Sequence, residues 1–209
     1  MPLEVPTQQI RVQLPKNWLE IDPRAEDLTA ELSRTAREHY GDDIDEDLIS
    51  RLAGPLALEL RRLTANTDLI LAGFFAEIVD TGSPQPMLIT ANVAIALSPP
   101  VGDLQQVRRQ IEQDARDADI EITTRELPAG PAVSTAGHLD VAHPGWSDAV
   151  RAFTRRFYLP VPGLDRVAAL TFVTPNLDLV DEFDEVFAAI AGTLSFSDQS
   201  GLRQAATAG

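Results

Sequence analysis

The densest set of potential ligands is Gly41-Asp42-Asp43-Ile44-Asp45-Glu46-Asp47, where carboxylates crowd together as a hard cation requires. Counted as a calcium loop from Asp43, Asp45 and Asp47 fall on the third and fifth positions. The sixth is then Leu48 where a glycine is needed, and the twelfth is Gly54 where a bidentate glutamate is needed. A helix start capped by Asp45, with acids in its first turn, explains the cluster better. A second set, His138, Asp140, His143 and Asp148, has the residue types of a metal or hydrolase site, and Ser134 would complete a triad with Asp140 and His143. No serine carries the glycine pattern of a nucleophile elbow, so the reading expected there is structural. Arg151, Arg155 and Arg156 alternate with Phe153, Phe157 and Tyr158, a mixture that can stack nucleic-acid bases. Gly73, Gly82 and Gly102 stand alone, and no lysine follows a glycine cluster as in a phosphate loop.

Charge decides between these. The 209 residues carry 32 acidic and 17 basic side chains, a formal net charge of −15. Such a chain repels phosphate backbones, so the arginines are expected to bridge to the protein's own acidic helices. Most of the excess lies in two stretches, Glu20–Ser50 and Asn176–Gln199. In the second, Asp178, Asp181, Glu182 and Glu185 follow at i, i+3, i+4 and i+7, which gathers them on one helix face. That face is the candidate partner-binding surface, suited to a basic protein. Absence of cysteine removes thiol chemistry, disulfides and cysteine-bound metal. Neither a cofactor nor a metal is expected.

These residues must be held by elements that periodicity reveals. Alternation at Gln9–Leu14 predicts a strand, and Trp18 with Ile21 begins a short second one. Helices are expected at Arg24–His39 and Asp45–Ala65, the second striped by Leu48, Leu52, Leu56, Leu60 and Leu63. Gly54-Pro55 should kink or divide that second helix. Ile70, Ala72, Phe74, Ala76 and Ile78 predict one face of a strand, and Met87, Ile89, Ala91, Val93, Ile95 and Leu97 one face of its hairpin partner. A helix at Asp103–Asp117 follows, then strands near Ile120–Thr123 and Val133–Val141. Ala149–Leu159 and Leu164–Thr174 should pair, with Val167–Val173, apolar on both faces, at the sheet centre. The last helix, Leu177–Thr193, should bury Leu179, Phe183, Val186, Phe187 and Ile190. The expected fold is one α+β domain over residues 1–196, a mostly antiparallel sheet flanked by helices, with a helical insertion at 24–65. Residues 197–209 are expected to form a flexible tail.

Met1–Gln9 contains Glu4 and lacks a basic or apolar leader pattern, and no apolar run approaches the roughly 18 residues of a membrane span. A soluble cytoplasmic protein with no membrane contact is the expectation. Two segments carry a resemblance. Ile10–Trp18, a strand running into Leu14-Pro15-Lys16-Asn17-Trp18, resembles the opening of the PsbP-like superfamily. That superfamily embraces the photosystem P subunit, the Ran-binding import factor and the actinobacterial LpqN-like lipoproteins. Leu170–Thr174, Pro175 and Phe187–Leu194 resemble its close, a central strand, Thr-Pro, and a helix ending in Phe-x-x-Ile-x-x-Thr-Leu. The resemblance implies an α/β/α sandwich and non-enzymatic binding or assembly work. No signal peptide or lipobox cysteine is seen, the insertion Arg24–Ala65 is extra, and no functional residue carries over.

The function expected is that of a non-enzymatic binding or adaptor protein, secretion chaperones included, which contacts a protein partner through Asp178, Asp181, Glu182 and Glu185. Nucleic acid is not expected as a partner. The alternative is an acidic immunity-type inhibitor of a basic toxin or enzyme. A hydrolase centred on Asp140, His143 and Asp148 is the third.

Overall fold

Trp18 is seated by a local bond: its backbone N–H donates to the Pro15 carbonyl at 2.9 Å, closing the Pro15–Trp18 turn. The computed structural model describes residues 8–41, 46–80, 82, 87–99, 103–114, 119–142 and 149–198. The chain order is β1 (Gln8–Arg11), β2 (Leu19–Ile21), α1 (Leu28–Tyr40), α2 (Glu46–Asn66), β3 (Asp68–Val79), β4 (Met87–Leu97) and α3 (Leu104–Asp114). It continues with β5 (Ile120–Leu127), β6 (Gly130–Ala142), β7 (Ala149–Pro160), β8 (Val167–Thr174), α4 (Val180–Gly192) and β9 (Ser195–Asp198), with a 3-10 turn at Leu177–Leu179 before α4. Seven strands form an antiparallel sheet in the order β2-β3-β4-β8-β7-β6-β5, and β1 pairs with β9 in a second, two-stranded sheet. The fold is α+β, with β8 in the middle of the large sheet as its two-sided apolar run predicts.

Helices cover both faces. α4 lies on one, where Phe183, Phe187 and Ile190 meet Phe75, Val93, Phe157, Leu170 and Phe172. α1 and α2 lie on the other over β2–β4, through Leu28, Leu32, Ile49, Ala53, Ala57 and Leu60 against Ile21, Leu69 and Ala72. α3 sits on that second face too, since Arg108 donates to Thr124 Oγ1 at 3.3 Å and Thr124 pairs with Val133. β1 and the segment after it close the α4 side: Ile10, Val12 and Leu14 pack on its core. Leu14 lies against β3 at a glycine. A Cβ on Gly73 would stand 2.7 Å from Leu14 Cδ1, closer than any side chain tolerates without a shift.

Four expectations need correction. α1 begins at Leu28, four residues after Arg24, because Asp22 accepts the Arg24 N–H and Asp27 caps the helix through the Ala30 N–H. α2 passes through Gly54-Pro55 undivided; proline costs the helix one hydrogen bond, which burial of Ile49, Ala53, Ala57 and Leu60 offsets. Its buried stripe contains Leu60, with Leu56 and Leu63 at the margin, while the side chains of Leu48 and Leu52 lie outside the described residues. A register shift between Leu69 and Leu71 turns Leu69, not Ile70, onto the face of Ala72 and Phe74. Finally, Ser197 and Asp198 belong to β9, paired with Gln9 and Gln8. The rest of the tail, 199–209, lies outside the described residues.

Tyr40, the last residue of α1, ties the helical pair to β3 by donating its hydroxyl to the Ala76 carbonyl at 2.6 Å. Burial, with the Glu77 carboxylate adding to it, holds the phenol above its ordinary pKa of 10.0. The folded state therefore keeps the proton that the unfolded chain releases first. This contribution is complete below the ordinary tyrosine pKa and disappears as pH rises through the raised folded value. Urea midpoints from pH 9 upward are expected to fall more steeply for the wild type than for Tyr40→Phe. At neutral pH that variant loses about 1 kcal/mol with the hydrogen bond. Parallel alkaline slopes would contradict the assignment.

Candidate functional site

The acidic surface is set by how β8 ends. Thr174 donates to the Thr90 carbonyl at 2.8 Å, and beyond Pro175 the Asn176 amide continues the pairing that β8 abandons. Asn176 Oδ1 accepts the Thr90 N–H at 2.8 Å, and its Nδ2 donates to the Leu88 carbonyl at 3.1 Å. This clasp fixes the 3-10 turn and α4 against β4. Asp178 lies in the turn; Asp181, Glu182 and Glu185 lie on α4. All four are exposed, and among the described residues none of them forms an ion pair. Asp178 and Asp181 sit at helix starts, where carboxylates suit the exposed N–H groups. Beside them Leu177 is 40% exposed, and at the turn end of the β3–β4 hairpin Met87 is exposed on the same side of the sheet, while the exposed Ile78 and Leu88 face the other side. Apolar side chains flanked by unpaired carboxylates suit a basic, partly apolar protein surface.

The arginine cluster is divided by strand alternation. Arg155 points under α4, where its guanidinium holds the Asp184 carboxylate through Nε and Nη2 and donates to Ser134 Oγ at 3.3 Å. That is the expected bridge to an acidic helix, made by Asp184, the acid on the inner flank. Arg151 instead meets Asp140 of the neighbouring strand at 3.5 Å, both exposed. Arg156 faces the other side of the sheet and forms no ion pair among the described residues. Its Nε is buried without a hydrogen-bond partner, as is Asn92 Oδ1 on the same face. A third such atom, Thr123 Oγ1, lies on the α4 side. Sequence reasoning grouped Arg155 with Arg156; the period of two along β7 was the signal that separates them.

The second set of residues does not assemble as far as it is described. Ser134 is buried beneath α4 and engaged by Arg155. Asp140 stands six residues further along β6, about 20 Å at strand rise. His143 and Asp148 lie outside the described residues, as do Asp42, Asp43 and Asp45 of the acidic loop and the side chains of Glu46 and Asp47. His138 packs on Phe153, ring centres 5.7 Å apart, and His39 on Tyr40 at 4.8 Å. Among the described residues no three metal-ligating side chains converge, and no helix is long and apolar enough to cross a membrane.

Neither a protein-family model nor a curated protein matches the chain. Among solved structures, LpqN, involved in cell envelope biogenesis of Mycobacterium tuberculosis, aligns with 93% of this chain and 87% of its own at 10% identity and a TM-score of 0.43. This is a weak structural resemblance. No residue or role transfers at that level.

Proposed function

We propose that the protein is a non-enzymatic binding or adaptor protein, a cytoplasmic member of the PsbP-like superfamily, which docks a basic protein partner on α4. The observation that supports this reading is the division of that helix. Its inner stripe is consumed by the core and Asp184 by Arg155, while Asp178, Asp181, Glu182 and Glu185 remain exposed beside Leu177. The carboxylates steer a cationic partner and the apolar side chains hold it once it arrives. Co-purification of the tagged chain from its native host is expected to retain a stoichiometric basic protein. Reversing the four acids to lysine should weaken that complex at least tenfold without lowering the melting temperature materially. Retention of the same partner by the reversed chain would remove α4 as the docking face.

The immunity-type reading uses the same acids and differs in its salt response. Inhibition of a toxin by charge alone should weaken by an order of magnitude or more between about 50 and 500 mM salt. An adaptor seated partly on Leu177 and Met87 should weaken less. A hydrolytic activity lost in His143→Ala would replace both readings.

A further inference from the structure

The seven-stranded sheet ends on β5, whose outer side pairs with no other strand among the described residues. This edge is eight residues long and free of proline and glycine, whereas β2 at the opposite edge has three residues. Its backbone polarity follows from the β5–β6 turn. Leu127 and Gly130 close the two-residue turn Pro128–Ala129, and the pair closing such a turn is hydrogen-bonded. Pro131 agrees, since it has no N–H and stands opposite Glu126 in the next pair. Hydrogen-bonded pairs alternate along the ladder. Glu121, Thr123 and Arg125 therefore turn their N–H and C=O groups to β6, while Ile120, Ile122, Thr124 and Glu126 turn theirs outward. Among the described residues no backbone hydrogen bond reaches those four from outside the sheet. Glu121 and Arg125 are exposed on either side of Thr123, on one face, and stand opposite only Ala136 and Ala132 of β6. Neither forms an ion pair among the described residues.

We propose that β5 pairs antiparallel with β5 of a second copy of the chain, about a two-fold axis through Thr123. An axis perpendicular to the sheet keeps each face on its own side, so even-numbered residues must meet even-numbered ones. Of the registers this allows, only the one centred on Thr123 engages all four outward residues. Ile120 then meets the partner's Glu126 and Ile122 the partner's Thr124, each pair exchanging both backbone hydrogen bonds. The same register sets Glu121 opposite the partner's Arg125, twice over, in the pairs where side chains approach most closely. This complementarity is what makes a second copy the occupant: two charges without an ion pair in one chain satisfy each other across the axis. α3 packs on β6 and β7, back from the edge, and its Arg108 and Arg109 balance Glu112 and Asp114. The acid-rich elements lie elsewhere, with β2 at the far end of the strand order and α4 over β7 and β8. The dimer leaves α4 of both copies on one side of a continuous sheet, and the pairing stands whether or not α4 docks a partner.

The test is sedimentation equilibrium of the full chain at increasing concentration, with hydrogen exchange of the β5 amides followed in parallel. A monomer–dimer equilibrium is expected with a Kd of about 10–100 μM, weak because one strand edge buries less than a standard interface. The Ile120, Ile122, Thr124 and Glu126 amides should gain protection as concentration rises, while those of Glu121, Thr123 and Arg125 stay protected throughout. Arg125→Glu sets like charges across the axis and should weaken the dimer about tenfold or more, with the melting temperature of the monomer unchanged. Glu121→Arg combined with Arg125→Glu restores the complementary pairs and should recover the wild-type affinity to within about threefold. A chain that stays monomeric at about 500 μM, a dimer indifferent to Arg125→Glu, or a double variant no tighter than the single one would overturn the assignment. Protection of the four outward amides at every concentration would overturn it too, since the chain's own residues would then cover the edge. Protection that appears only on adding a different protein would assign the edge to that partner instead.

Discussion

Phe187→Ala should destabilise the fold by about 3–5 kcal/mol, the cost of emptying a fully buried phenylalanine site. Phe187 is 0% exposed. Its ring stacks on Phe172 of β8 at 4.8 Å and 21°, lies 5.6 Å from Phe183, and meets the edge of Trp18 at 6.4 Å. One side chain therefore joins the central strand, the last helix and the Pro15–Trp18 turn. Against a total stability of roughly 5–15 kcal/mol such a loss is large. Glu182→Lys with Glu185→Lys, on the exposed flank of the same helix, should change stability by less than about 0.5 kcal/mol per site. Urea melts of the two variants check the contrast. Similar losses in both would mean that α4 does not present its phenylalanines to the sheet.

Asp184→Ala should cost about 3 kcal/mol, the lower end of the range for stranding one member of a buried ion pair. The Arg155 side chain is 6% exposed and that of Asp184 28%, so deleting the acid strands a charge that water cannot reach. Deleting the arginine is milder, because Asp184 can turn to solvent. Arg155→Met combined with Asp184→Leu should recover most of the loss, since a packed apolar pair replaces two desolvated charges. A double-mutant cycle by urea denaturation measures this coupling. Additive losses would show that the pair contributes no more than its two separate side chains.

Much of the architecture follows from short-range pattern. The two-sided apolar run Val167–Val173 can only be satisfied between two layers, and β8 is the middle strand of seven. The i, i+4, i+7 spacing of Phe183, Phe187 and Ile190 specifies which side of α4 faces inward, and therefore that Asp178, Asp181, Glu182 and Glu185 face outward. Alternation alone also defines the β3–β4 and β7–β8 pairs. These features are readable because helix and strand periods are local properties of the chain.

Other features depend on partners distant in sequence. Ser195–Asp198 offers only Phe196 for burial and becomes a strand through pairing with Gln8–Arg11 at the other end of the described chain. The register shift at Leu69–Leu71 reverses which neighbour meets α2, and no local signal marks it. Pro55 is tolerated inside α2 because the sheet beneath supplies apolar contact on either side of it. The two adjacent arginines of β7 are the clearest case. Alternation separates Arg155 from Arg156, but only the placement of α4 over the sheet decides that Arg155 meets Asp184, while Arg156 Nε is buried on the other face without an acceptor. Which residues lie on a face is a matter of spacing; what covers that face is decided by how far apart the helices settle, and that distance is a property of the packed molecule.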